Sequence, residues 1–409
     1  MKIFDELVNE TLKMLAIYTV QEEASSGAPF GKGNAEALNA ALKLAASFGF
    51  KTHNADGYVG WAEIGSGELF GVPGHLDTVP FGDGWTKNPY GEIADGKLYG
   101  RGAVDDKGPM LAALFAAKSL LDEGLKPKRR LRFIFGCNEE TGWACMRRYA
   151  ETEEMPALAF SPDADFPVIN AEKGVINMEI TLPLNGAEIS VTAGERANVV
   201  PASCTAEVRG VKRVTTGVSA HGSRPQDGEN AIVKMLAALA TEDASLKLLY
   251  EKLNDCYGGD CNLALRDAQS GALTQNAGII RSDARSVTVT LDIRYPVTFA
   301  EEEVLNRLKS AFPNAVLHKI HSHPPLYVPK DHFLIKALLA AYEKATGEKA
   351  APIAIGGATY ARAVPLGVAF GPELPGRKST IHSPDEHISL EDFKTIFNIY
   401  REALKALIF

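Results

Sequence analysis

The sequence has no basic excess: 43 Lys and Arg stand against 51 Asp and Glu, a net charge of −8. Such a chain offers no dense positive face for phosphate backbones, so nucleic acid is not an expected partner. Lys128, Arg129 and Arg130 form the one tight basic run, which reads as a solvated turn before a strand. Cysteine is scarce and odd in number, five residues scattered along 409. The closest pair, Cys256 and Cys261, matches no zinc-binding spacing, and free thiols in a reducing compartment are expected. No apolar run approaches the roughly 18 residues that cross a bilayer. MKIFDELVNETLKML lacks the basic start and apolar centre of a secretion signal. A cytoplasmic chain without a membrane partner is expected. Repeats and low-complexity segments are also lacking.

What is present is ordinary globular composition, 45% hydrophobic and 23% charged, over a length suited to two domains or one with an insertion. Apolar positions recur at helical spacing over 5–17 and 34–49, and QEEASSGAPFGKG between them is a loop. Strand-like runs follow near 57–64 and 69–75, then a helix, MLAALFAAKSLLDEG, ended by Gly124. LRFIFGC (131–137) and MPALAFS (155–161) are continuous apolar runs of the kind that fill buried strands. Strands interleaved with helices imply an α/β domain with a central mixed sheet covered by helices on both faces. From 172 the pattern changes. VINMEITL, EISVTAG, SCTAEVRG and RSVTVTLDIRYP read as antiparallel strands, several alternating, with helices NAIVKMLAALA and AEEEVLNRLKSAF among them. Residues 172–328 are therefore expected to form an inserted α+β domain with an antiparallel sheet, and 1–171 with 329–409 to form the first domain.

GHLDTVP (74–80) puts His75 and Asp77 two positions apart, on one face of a strand end and roughly 6.6 Å apart along the chain. Alone, the pair reads most simply as a surface contact. Four further polar stretches sit at or after strand ends of the same domain, where open α/β sheets place their sites. They are GRGAVDDKGP (100–109), CNEETG (137–142), SPDADFP (161–167) and IHSPDEH (381–387). Each supplies a carboxylate or imidazole, the ligand types that divalent metals need, and a closely spaced ion pair needs a bridging carboxylate.

GHLDTVP, the Gly-Arg-Gly-x-x-Asp-Asp-Lys-Gly-Pro segment and Asn-Glu-Glu-Thr-Gly, in this order, resemble the M20 family of dinuclear metallopeptidases, and within it the PepV-type bacterial dipeptidases. SPDADFP, GVSAHGSRPQDGENAI, LDIRYP, GGATYAR and HSPDEH extend the likeness over nearly the whole chain. The resemblance implies two divalent cations, zinc first with manganese or cobalt as alternatives. It implies that His75 and Asp163 hold one ion, that Glu140 and His382 are divided between the two, and that Asp105 bridges. It further implies that Asp77 holds the His75 ring and that Glu139 is the general base of metal-assisted hydrolysis. His221 of the inserted domain, a lid, is implied as the oxyanion partner and Arg294 as the fork for a substrate carboxylate, with Asn198, Gly356 and Arg362 in the same pocket. Ala358 stands where the family usually has a third glycine.

Structural readings stand beside these. Asp106 and Asp165 read as cap or turn residues, and His387 as a surface residue. His318, His321 and His323 read as solvated, with no acid nearby in sequence. Trp85 and Tyr90 read as loop packing. The expected substrate is a dipeptide, cleaved beside its free carboxylate. The alternative is an N-acyl-amino-acid amidohydrolase of the deacetylase or desuccinylase type, which uses the same core. A non-catalytic binder would need neither Glu139 nor His221. The expected assembly is a monomer or a homodimer through the lid.

Overall fold

Strand Leu69–His75 is buried along its whole length, as a strand covered on both faces must be, and it lies inside a mixed sheet. The computed structural model describes residues 2–185 and 188–409. On one side of this strand Arg130–Gly136 runs parallel, followed by the antiparallel strands Val59–Ile64 and Lys51–Ala55. On the other side Leu158–Ser161 and then Leu366–Ala369 run parallel, Ile169–Glu172 follows antiparallel, and Leu326–Tyr327 pairs antiparallel beyond it. Helices Lys2–Leu15, Lys107–Asp122, Leu390–Leu407 and Phe333–Thr346 pack in succession, while Lys32–Ser47 and Ala144–Thr152 pack on the first two strands. Helix Lys107–Asp122 is nearly all apolar and nearly all buried, the mark of a helix with no solvent face.

The chain divides into two compact units. The first comprises Met1–Asn170, Val328–Ile353 and Thr359–Phe409, and the second Ala171–Tyr327 and Ala354–Ala358. Each has its own apolar cluster, one around Phe70, Leu111, Phe133 and Tyr400, the other around Ile180, Leu236, Val289 and Leu308. The return Ala354–Ala358 was expected in the first domain. It clusters with the second because Lys173 N donates to Ile355 O (3.0 Å) and Arg294 Nη1 to Gly356 O (2.5 Å).

The second unit is an antiparallel sheet in the order Val211–Thr216, Ser203–Val208, Ile189–Ala193, Thr274–Ser282, Ser286–Tyr295, Gly174–Pro183, Val316–His323. Alternation is plain in Ile189–Ala193, where residues 189, 191 and 193 are buried and 190 and 192 exposed. Helix Ala231–Leu239 begins with Asn230, whose side chain accepts from the amides of Ile232 and Val233, an N-cap. Beside the two helices expected in this unit stands a third, Ala244–Leu253, which buries Leu246, Leu249 and Leu253, and the largely buried strand Thr274–Ser282 was not expected either; the other elements missed are short and polar. Helix Ala144–Thr152 buries only Cys145, Met146 and Tyr149, and strand Val211–Thr216 is an edge with no buried residue. The five cysteines are free, and among the described residues no helix is long and apolar enough to cross a membrane.

Candidate metal centre

Parallel strands deliver their carboxyl ends to one edge of a sheet, and three of the site's loops leave from such ends. His75 closes Leu69–His75, Glu139 and Glu140 follow Arg130–Gly136, and Asp163 follows Leu158–Ser161. Asp105 comes from the turn before helix Lys107–Asp122, across a cis Asp105–Asp106 peptide. His382 comes from the loop before strand His387–Ser389 and sits at a left-handed φ of 58°. The helix start approaches closely because residue 74 is glycine: a Cβ there would lie 2.2 Å from Asp106 Oδ2. That oxygen accepts the His75 amide (3.2 Å). Asp106, expected to cap or turn, stands at the helix N-cap position without a side-chain cap bond and fixes the His75 main chain instead.

The Asp105 carboxylate stands between two imidazoles. Its Oδ1 lies 2.9 Å from His75 Nε2 and its Oδ2 2.9 Å from His382 Nε2. Asp163 Oδ2 is 3.7 Å from His75 Nε2, and Glu140 Oε1 is 3.1 Å from His382 Nε2. Donor atoms thus form two groups, His75–Asp105–Asp163 and Asp105–Glu140–His382, each within 4.8 Å, with Asp105 in both. Imidazole with carboxylate is a donor set for borderline divalent cations, and one carboxylate oxygen per group is what a bridging ligand requires. The residues fit a metal pair.

Charge is strongly unbalanced here. Burial raises the pKa of Asp163, and the charge of Asp105 adds to the rise. Burial alone would raise Asp105 also, but hydrogen bonds from His382 and His75 hold it well below the usual carboxylate range. Burial opposes a proton on His382, yet bonds to Asp105 and Glu140 raise it to about 10; His75 is likewise raised against burial by Asp105 and Asp77. Glu139 is pushed up to about 8 by burial; His75 counters this, while the charges of Glu140, Asp105 and Asp77 add to it. Its Oε1 accepts from Trp143 Nε1 (3.1 Å). Cations placed among these acids would relieve their repulsion.

Asp77 differs from expectation in which atoms act. His75 Nδ1 lies 3.0 Å from the Asp77 main-chain oxygen and 3.6 Å from Oδ1. The carboxylate also accepts the amides of Glu139 (3.0 Å) and Glu140 (3.1 Å), so it pins the loop carrying the acid pair as well. The reason is reach: the carbonyl is nearer to the ring, and the buried side chain finds two N–H donors on the neighbouring loop.

In the second unit His221 is exposed, its Nδ1 2.7 Å from Ser223 Oγ. Arg294, expected as the fork for a substrate carboxylate, is paired with an acid of its own strand. Asp292 and Arg294 are i and i+2 on one strand, hence on one face, and Nε and Nη2 close on the two Asp292 oxygens (2.8 and 2.9 Å). Asn198 is exposed, and its carbonyl accepts Gly222 N (2.7 Å). Arg362 lies in the first unit, in the short 3-10 helix Tyr360–Ala363, whose Tyr360 ring packs edge-on against His75 at 6.0 Å. His318 does have an acid: Glu179, opposite it on the neighbouring strand, places Oε2 3.1 Å from Nδ1. Trp85 and Tyr90 pack on Phe81 as loop residues.

The model of peptidase family M20/M25/M40 matches residues 71–406. This chain belongs to peptidase family M20. The M20 peptidase is 37% identical to a Bacillus subtilis (strain 168) protein provisionally named as a dipeptidase, YtjP, over 98% of this chain and 97% of that one. A protein of Staphylococcus saprophyticus, also provisionally named as a dipeptidase, is 32% identical over 99% and 98%. The YtjP alignment runs over 452 positions, more than the 409 residues here, so the relative carries segments this chain lacks. Among solved structures, aminoacylhistidine dipeptidase from Vibrio alginolyticus has the same fold, with a TM-score of 0.65 at 13% identity over 98% of this chain and 96% of that one. The protein is a metallopeptidase, a hydrolase of peptide bonds.

Two residues of this M20 peptidase escaped the sequence reading. Glu386 is fully buried; its Oε1 accepts the amides of Gly102, Val104 and Asp105 (3.1, 2.9 and 3.3 Å), and its Oε2 accepts Arg101 Nη1 (2.6 Å). Asp385 beside it accepts from Thr86 and Lys87. One heptapeptide, IHSPDEH, therefore supplies a donor to the cluster and also ties down two other loops. No local signal marks Glu386, since each of its partners lies more than 280 positions away. His387, which pairs with Tyr99 on the neighbouring strand, meets Lys97 Nζ at 3.1 Å and stays outside the cluster.

Proposed function

We propose that this M20 peptidase hydrolyses dipeptides with two divalent cations, zinc first, held by His75, Asp105 and Asp163 on one side and Asp105, Glu140 and His382 on the other. The observation that carries this is the Asp105 carboxylate, one oxygen toward each histidine at 2.9 Å. When bound, such cations acidify water and polarise the scissile carbonyl. Glu139 takes the proton of the attacking water and delivers it to the leaving nitrogen. Asp77 positions Glu139 and Glu140 together through their amides. His221 donates a hydrogen bond to the carbonyl oxygen as it gains charge.

The dipeptide is favoured over an N-acyl amino acid by the provisional dipeptidase names of the relatives at 37% and 32% identity. The test is turnover of one dipeptide beside its N-acetylated form, with the metal content of the protein measured in parallel. Hydrolysis of the free dipeptide is expected. Exclusive turnover of the acetylated compound would transfer the assignment to amidohydrolase and leave the metal centre standing.

A further inference from the structure

Within the second unit, His221 is held by a layered set of contacts whose effect is chemical. Its main chain pairs with residues 198–200: Val200 N donates to Ala220 O (2.9 Å), Gly222 N donates to Asn198 O (2.7 Å), and Val199 and His221 form an isolated bridge. Its ring Nδ1 lies 3.2 Å from Ser223 N and 2.7 Å from Ser223 Oγ. An amide N–H can only donate, so Nδ1 must present a lone pair. In the neutral ring the proton then sits on Nε2, and the serine hydroxyl donates to Nδ1 alongside the amide. Although the residue is exposed, partial desolvation of the ring and then the positive charges of Arg294 and Arg224 lower the His221 pKa against the opposing charge of Asp292, so the neutral ring is favoured.

Ser223 is itself seated. A Cβ at residue 356 would fall 2.7 Å from Ser223 Cβ, so only glycine leaves the serine its place. The Gly356 carbonyl is held by Arg294 Nη1 (2.5 Å), whose guanidinium is locked on Asp292, and Asn177 Nδ2 donates to the same aspartate (3.1 Å). Thr274 Oγ1 donates to Ser223 O (3.3 Å). Arg294, Gly356 and Asn198 build the platform that carries the histidine.

We propose that Ser223 is a positioning residue that fixes His221 as the Nε2–H tautomer, making the ring a hydrogen-bond donor rather than a base or a metal ligand. Its relevance to turnover rests on the oxyanion role given to His221 above; the tautomer itself does not. In protein with 15N-labelled histidine, the ring of His221, assigned against the His221→Gln spectrum, is expected to show a protonated Nε2 and a bare Nδ1 at neutral pH. A proton on Nδ1, or an even mixture, overturns the proposal. Kinetically, Ser223→Ala is expected to lower kcat roughly 3- to 10-fold, the worth of one neutral hydrogen bond, with KM little changed. In a His221→Ala background the same change should do nothing. An equal loss in both backgrounds overturns the positioning role, since a merely structural serine would act without the histidine. Full activity in His221→Ala alone would instead refute the oxyanion role and leave the tautomer to the spectrum.

Discussion

The acid cluster of the first unit and the histidine platform of the second hold their groups by opposite means. In the first, His75, Asp77, Asp106 and Glu386 are essentially buried, and the carboxylates among them are met by backbone N–H groups or an opposite charge, as Glu386 is by three amides and Arg101. In the second, His221 is exposed and is held by main-chain pairing and one serine, with the charged pair Asp292–Arg294 set beneath it. The difference follows from what each must do. Buried acids repel one another, so they stay in place only if many donors or cations oppose that repulsion. A neutral ring that donates one N–H needs only its tautomer and direction fixed.

The largest effect that would test this contrast is expected from Asp105→Ala. It removes the one carboxylate shared by both donor groups, so metal analysis should find both ions lost and activity down more than about 10³-fold. Retention of one ion at full affinity would mean that the groups are independent. Next comes Glu139→Gln, which leaves the donor groups intact. Two ions should remain by elemental analysis, while turnover falls at least about 10²-fold. Unchanged turnover would remove Glu139 from its role. The smallest of the three is Glu386→Gln, which keeps an oxygen for three amides but leaves Arg101 without its counter-charge. Chelator competition should show metal affinity weakened about 10- to 100-fold. Unaltered affinity would show that the loop bearing Asp105 holds its shape without Glu386.

Much of the fold was legible. Leu69–His75, the run 131–137 and the alternating strands of the second unit stand out because burial on two faces or one leaves a direct mark on side-chain type. The five candidate donors were singled out by the resemblance of their motifs to a family, since the polar stretches that hold them carry other acids as well. What stayed hidden depends on contacts between distant segments. Nothing near Glu386 says that it will gather three amides 281 to 284 positions away. Glu179 and His318, 139 residues apart, meet only through strand pairing.

The sequence by itself determined most element types and the two-unit plan, because periodicity is a local property of residues, while the metal-binding candidates came from the resemblance of its motifs to a family. Only the tertiary structure decided which donors share Asp105, that the Asp77 carboxylate serves the Glu139 and Glu140 amides, and that Arg294 closes on Asp292. Those choices are set by distances of about 3 Å between segments, and such distances exist only once the sheets have brought the segments together.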